Sequence, residues 1–368
     1  MMATAFPSSR PDSPIRDTRE PVQIELCPAA EAAAWDEYVG RHAGGTFYHL
    51  HAWSQINRDA LGHRSFYLLA RDTQGIRGVL PLTFVSSRLF GRILCSMPFV
   101  NYGGPCADDE TTARALIAAA VDQAREVRAG SLELRCADAQ PTELPVSHRK
   151  ISMSLQLQND PDAVWNAFSS KQRTNIRRSY KNELAVYSGG RELLPVFYAV
   201  MAASWRSLGT PLYSPGYFEQ ILDAFGERAR IFVCHRNKEP VAVAFNGYFK
   251  GTDGTGTVEG MWAGGTPQSR ALQANYVLYW EMIKDACERG FTRYHLGRST
   301  ADSGAEDFKK KWNATTRQLH WYFHTPDGRE MPALNVDNPK YRAAIATWQR
   351  LPMWVTRIVG PRLARLIP

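Results

Sequence analysis

Apolar positions along the chain fall first at helical and then at strand spacing, and this succession occurs twice. In "WSQINRDALGHRSFYLLARDTQGIRGVLPLTF" from Trp53, a helical pattern closes at Gly62. A strand over Phe66 to Ala70, a polar turn and a second strand follow. "FEQILDAFGERARIFVCHRNKEPVAVAFNGYF" from Phe218 repeats the order, with its helix closing at Gly226 and its first strand at Ile231 to His235. Downstream, each copy reaches a glycine pair (Gly103 and Gly104; Gly264 and Gly265), a long helix and a short strand, "SLELR" from Ser131 or "RYHLG" from Arg293. A shared order over roughly a hundred residues marks two copies of one α/β unit.

Local signals agree. Ser214 is placed to cap a helix with Pro215 in its first position and Gly226 at its end. In the long helix from about Leu272, Tyr276, Trp280, Ile283 and Cys287 share one side with Ala274, Val277 and Leu278 beside them, which predicts burial. Glu281, Lys284 and Asp285 make that helix too charged to cross a membrane. The predicted fold class is α/β, with tandem repeats that each form a mixed, twisted sheet flanked by helices. Strand, strand, glycine-bearing loop, helix and strand is the order of the acyltransferase fold called GNAT, which holds an acyl donor where two strands splay. The expected units are a disordered tail over 1–21, a first domain over 22–150, a second and catalytic domain over 151–330, and a basic amphipathic segment over 331–368.

Composition narrows the picture. Of 368 residues 44% are hydrophobic, enough for a sizeable core. No apolar run marks a secretory leader or a membrane span, so a cytoplasmic location is expected. The six cysteines are scattered without CxxC pairs, and His49 and His51 have no third ligand nearby, so no metal is expected. The net charge of +8 favours anionic partners: phosphorylated substrates, nucleic acid or an acidic membrane. The C-terminal stretch "WQRLPMWVTRIVGPRLARLIP" mixes aromatic, apolar and basic residues, which suits a membrane interface or a broken helix packed across the domains. Pro352 and the Gly360–Pro361 pair are expected to interrupt it.

Six motifs carry a resemblance: "MPFVNYGGP" (97–105), "SSKQRTNIRRSYKNEL" (169–184), "SLGTPLYSPGYFEQIL" (207–222), "LYWEMIKDACERGF" (278–291), "GRSTADSGAEDFKKKW" (297–312) and "LHWYF" (319–323). From about residue 22 to 325 the chain resembles the FemAB-related proteins, tandem-GNAT relatives of the peptidoglycan-bridge aminoacyltransferases. It looks closest to the branch associated with exosortase (PEP-CTERM) and exopolysaccharide systems. The resemblance implies N-acyl or aminoacyl transfer to an amine of a phosphorylated or lipid-linked envelope precursor. Acyl-CoA or aminoacyl-tRNA would be co-substrate, with no bound cofactor. A contrasting reading is a scaffold without chemistry that binds tRNA or an anionic lipid-linked saccharide.

Acyl transfer needs a proton acceptor, which in many GNAT enzymes is a carboxylate on the strand before the donor loop; Glu259 in "TVEGMWA" is either that base, with Asp307 second, or a glutamate on the solvent face of its strand. No tyrosine acid is apparent after "LGRST". Lys171, Arg173, Arg177 and Arg178 form either a clamp on substrate phosphates or a solvated helix face. Ser303 and Glu306 predict a capped helix start, and burial of one face by Phe308 and Trp312 makes Lys309 and Lys310 the candidates for reaching a cleft, as ligand contacts or as surface lysines. Arg298 and Ser299 join the expected substrate contacts. Asn101, Tyr102, Gly103 and Gly104 suggest a tight turn with accessible backbone, which the resemblance implies faces the cleft between the repeats and which is otherwise a structural loop of the first repeat. Gly264, Gly265, Arg270 and Asn275 occupy the position of a donor-binding loop without its glycine spacing.

Overall fold

The computed structural model describes residues 21–87, 90–301, 303–326, 328 and 339–367. Apart from Pro21, the expected tail lies outside these residues. The chain begins with β1 (Gln23–Leu26), α1 (Ala32–Arg41), α2 (Ala52–Asp59), β2 (Arg64–Asp72), β3 (Gly75–Ser87), β4 (Gly91–Cys95), β5 (Cys106–Ala107), α3 (Glu110–Glu126) and β6 (Ser131–Cys136). Next come β7 (Val146–Ser147), β8 (Lys150–Gln156), α4 (Pro161–Ala167), α5 (Ser170–Tyr180), β9 (Leu184–Gly189), α6 (Leu194–Ser207) and α7 (Pro215–Phe225). Then follow β10 (Ala229–Arg236), β11 (Glu239–Lys250), β12 (Gly256–Gly265), α8 (Pro267–Ala271), α9 (Ala274–Glu288) and β13 (Arg293–Thr300). The last elements are α10 (Gly304–Lys310), β14 (Thr315–Gln318), β15 (His320–His324), α11 (Pro339–Arg350) and α12 (Met353–Ala364).

The caps lie where side-chain chemistry puts them. Ser214 accepts from the Tyr217 amide at the start of α7, and Gly226 ends that helix at φ +52°. Ser303 accepts from the Glu306 amide, which starts α10 where the S-x-x-E pattern predicts. Glu306 and Asp307 then occupy the first turn of that helix, where its dipole favours negative charge.

Two mixed sheets result. The first runs β1-β2-β3-β4-β6-β15-β7, with β5 on β3, and the second runs β14-β8-β13-β12-β11-β10-β9. Each has one parallel pair at its centre: β4 with β6 in the first, β12 with β13 in the second.

The expected second unit, 151–330, contains β15, yet β15 pairs with β6 in the first sheet, from His320↔Cys136 to His324↔Leu132. The cause is a two-stranded ribbon that passes between the sheets. Thr315 to Gln318 pair with Ser154 to Ile151, and Trp321 and Tyr322 pair with Ser147 and Val146. The first sheet is thus completed by a strand that follows the second unit in sequence. Tyr322 anchors the exchange, buried in the first unit's core with its hydroxyl accepting from the Gln140 amide at 2.8 Å.

Between the units lies one shared core, in which Phe47, Tyr48 and Trp53 of the first meet Phe218, Phe225 and Phe245 of the second. The rings of Phe47 and Phe225 are 4.4 Å apart. Such aromatic burial is a large apolar contribution, so the two units do not behave as separable domains. The C-terminal helices dock across this body. Arg206 donates to Leu351 O at 2.6 Å, and His63 Nε2 lies 2.7 Å from Arg365 O. A break occurs at Pro352, as expected, but α12 continues through Gly360 and Pro361. Gly360 is buried against the Leu212 backbone, so packing holds the helix across its proline.

Candidate functional site

Strands β12 and β13 pair in parallel only over Thr257 to Glu259 and Arg293 to His295. Beyond that, β12 stays with β11 while β13 turns toward β8, and the strands diverge. Opposite β11, Trp262 pairs with Phe245 and Gly260 with Asn246, so Met261 is an extra residue, a bulge at the point of divergence. A cavity of about 200 Å³ opens there. Gly260 and Met261 form one wall, Tyr294 and Arg298 a second, and Tyr279 of α9 and Lys309 of α10 complete it.

Lys309 is buried, at 7% exposure. Its Nζ donates to Gly297 O at 2.8 Å and to Arg298 O at 2.9 Å. Burial and then the charge of Arg298 bring its pKa down to about 8. Gly297 lets the ammonium approach: its φ is +76°, and a Cβ there would meet Gly260 O at 3.0 Å and Lys309 Nζ at 3.7 Å. Arg298, partly buried on the cavity wall, makes no hydrogen bond or ion pair through its guanidinium among the described residues, and its Nη1 is enclosed without a partner. Desolvation and then the neighbouring Arg135 lower its pKa to about 10. Ser299 is buried with its hydroxyl unpaired. Of the cavity tyrosines, Tyr294 donates to Asn246 Oδ1 at 3.0 Å, while Tyr279 has no hydrogen-bond partner among the described residues. Burial raises the Tyr279 pKa to about 12, so it is protonated at neutral pH.

Glu259 sits on the expected strand, but its carboxylate does not reach the cavity wall. It is fully buried. Its Oε1 accepts from the Tyr102 hydroxyl at 2.5 Å, and its Oε2 lies 2.6 Å from His295 Nδ1. With both oxygens engaged, Glu259 ties the second sheet to the loop after β4. Asn101 extends the tie, donating to the Tyr48 hydroxyl at 2.8 Å and to Gly260 O at 3.4 Å. Gly103 and Gly104 form the structural part of that loop. Gly103 donates to Arg135 O, and a Cβ on Gly104 would lie 2.7 Å from Cys136 Sγ.

The other expected contacts do not converge on the cavity. Asp307 is exposed on α10, and Lys310 is exposed and paired with Glu306 at 2.8 Å. Lys171, Arg177 and Arg178 are exposed on α5. Arg173 donates to Asn166 O, and Arg177 lies over the Trp165 ring, which makes this face a solvated surface rather than a cavity wall. Gly264 and Gly265 pack against Ser204 and Ser269, while Arg270 and Asn275 are exposed. Residues that sequence reasoning missed are Tyr48, Arg135, Tyr279, His295 and Trp321. For His295 a signal existed: in "RYHLG" it is the polar residue between two apolar ones, so it had to face away from Tyr294 and Leu296.

Residues 170–310 match the family model described as an acetyltransferase (GNAT) domain. No curated protein sequence matches the chain. Among solved structures, the chain is similar to FemX, at 15% identity and a TM-score of 0.63 over 82% of this chain and 97% of that one. It is also similar to L-PGS from Bacillus licheniformis (15% identity, TM-score 0.53, 91% and 98% covered). A third is a tandem GNAT protein from the clavulanic acid biosynthesis pathway (10%, 0.52, 84% and 100%). At these identities the likeness is one of fold: two GNAT-like α/β units in tandem.

Proposed function

We propose that the protein is a GNAT-type N-acyltransferase in which Lys309 takes the proton of an acceptor amine in the cavity between β12 and β13. One observation carries this reading. A neutral lysine has two N–H bonds and one lone pair, and the carbonyls of Gly297 and Arg298 receive both hydrogens. The lone pair is then left for the cavity that Lys309 lines. A pKa near 8 gives an appreciable neutral fraction at working pH, as a general base requires. The amine nitrogen attacks the acyl carbonyl and the C–N bond forms. The C–S bond of a thioester, or the C–O bond of an ester, breaks. The amine proton passes to Lys309, and Tyr279 on the same wall supplies the proton that the leaving sulfur or oxygen takes.

GNAT domains use acyl-CoA as co-substrate, which makes a CoA ester the first donor to try. The motif resemblance to bridge-forming aminoacyltransferases makes aminoacyl-tRNA the second. That resemblance also supports an acceptor amine on an envelope or exopolysaccharide precursor. The test is transfer from acetyl-CoA, longer acyl-CoAs and an aminoacyl-tRNA pool to amino-sugar acceptors, with Lys309→Arg and Lys309→Met beside the native chain. Arginine stays charged, so both variants should lose turnover while retaining cooperative unfolding. Full turnover by Lys309→Arg would end the assignment.

A membrane surface is the proposed place of action. Among the described residues, no helix is long and apolar enough to cross a membrane. The segment 342–367 contains no acidic residue and carries Arg342, Arg350, Arg357, Arg362 and Arg365. Trp354 and Ile358, one helical turn apart on α12, are 67% and 55% exposed, and Leu208 beside this segment is 65% exposed. Apolar side chains set among arginines, with no acid to repel lipid, fit an anionic bilayer. Flotation with phosphatidylglycerol vesicles should recover the native chain but not Trp354→Ser/Ile358→Ser, and phosphatidylcholine vesicles should recover neither. Equal recovery of both proteins would remove this placement.

A further inference from the structure

At the cavity's edge the two sheets meet around one indole. Trp321 of β15 has the Arg135 guanidinium 4.6 Å from its ring centroid and that of Arg298 at 5.3 Å. Arg135 comes from β6 of the first sheet and is 3% exposed, and Arg298 comes from β13 of the second. Arg135 gives its Nε to Glu133 Oε1 at 2.7 Å. Its Nη1, the Arg298 Nη1 and the Trp321 Nε1 are all enclosed without an acceptor among the described residues. Nearby, Lys150 donates to the Thr300 hydroxyl at 2.9 Å, and burial followed by the charges of Arg298 and Arg135 lowers its pKa.

The charges at this seam do not balance. The charges of Arg135 and Arg298 act on Lys150, and among the described residues the carboxylate paired at this seam is Glu133, which Arg135 already holds. The Arg135 charge acts on Arg298 across the Trp321 ring, partly out of water, so the two repel one another, and enclosed N–H groups without acceptors cost stability. A bound anion would remove both penalties together. Guanidinium groups present flat N–H forks that match the paired oxygens of phosphate or carboxylate. Because Arg298 lines the cavity, such an anion is reached from the reaction site.

We infer that Arg298, backed by Arg135 and the Trp321 indole N–H, forms a binding site for an oxyanion, a phosphate or carboxylate carried by one of the substrates. The link to a substrate rests on the transferase reading above, whereas the anion site itself does not. The substrate that carries this group then holds it beside the reacting centre.

The experiment is calorimetric titration of the full-length chain with inorganic phosphate, and separately with acetate, at constant ionic strength. Saturable binding of one or both is expected, and the stronger one identifies the oxyanion class. Arg298→Gln should weaken it at least about tenfold, since a hydrogen bond to a charged group is typically worth 1.5–3 kcal/mol. Trp321→Phe keeps the ring but loses the N–H, and should weaken binding by a smaller factor. Arg298→Gln also removes a like charge, so it should fold at least as well as the native chain, which thermal unfolding checks. No saturable binding by the native chain, or equal binding by Arg298→Gln, would overturn the inference. Phosphate or acetate held through Arg298 in a protein that transfers no acyl group would leave the site standing and remove the transferase reading.

Discussion

The Tyr102 hydroxyl donates to the Glu259 carboxylate at 2.5 Å across the seam between the two units. Both residues are buried, Glu259 on β12 of the second sheet and Tyr102 in the loop after β4 of the first unit, so this bond, with His295 on the other oxygen, fixes the β12–β13 divergence relative to the first unit. Glu259 is a positioning residue. Tyr102→Phe leaves a buried carboxylate oxygen without its donor, and urea denaturation should show a loss of about 1–3 kcal/mol. Glu259→Ala should cost more, about 3–5 kcal/mol, because His295 is left without its partner. If both variants unfold like the native chain, the seam does not depend on this contact.

The pH profile of kcat/KM reports the base of the free enzyme. With Lys309 at about 8, activity should rise with pH through that value. Arg298 holds this pKa down by its charge, so in Arg298→Gln the rising limb should move to higher pH. A limb that stays in place would separate the titrating group from Lys309.

Acid should destabilise the first unit through its histidines. Burial brings the pKa of His49 from 6.5 to about 4, and it also lowers those of His51 and His63. As pH falls through 6.5 toward 4, the unfolded chain takes up protons that the folded chain does not, so stability present above 6.5 is progressively lost. His49→Asn should flatten the stability curve in this window. An unchanged slope would locate the acid sensitivity elsewhere.

Gly297→Ala forces a left-handed backbone on a residue with a Cβ and sets that Cβ 3.0 Å from Gly260 O. A cost of about 1–2 kcal/mol is expected from the backbone alone. Displacement of Lys309 should lower kcat as well. Native kcat in a destabilised protein would show that the lysine's position is not critical.

The exchanged strand and the shared core predict that neither half folds alone. Residues 22–149 lack β15, and residues 150–326 lack the first-unit face of the shared core. Each half should show non-cooperative unfolding by circular dichroism, and the two together should regain a single transition. Cooperative unfolding of either half alone would contradict the shared core.

By itself the sequence determined the elements and their order. Capping serines, turn glycines and apolar periodicity act within a few residues of one another, so α7, α9, α10 and both central strand pairs are legible without a fold. Lys309 and Arg298 are also legible as candidates, one on the helix beside its buried stripe and the other at a strand end, and both line the cavity. Pairing partners are not encoded locally. A strand such as "HWYFH" carries the same alternation whichever sheet it joins, and only the crossing ribbon sends it to the first. Nor does the sequence state which charges meet. Glu259 reads as a base on a strand, but tertiary packing supplies Tyr102 from 157 positions away and removes the carboxylate from the cavity. Arg135 lies far from Arg298 along the chain, and only the seam between the sheets brings both to one indole, where Arg135 has Glu133 and Arg298 has no ion pair among the described residues.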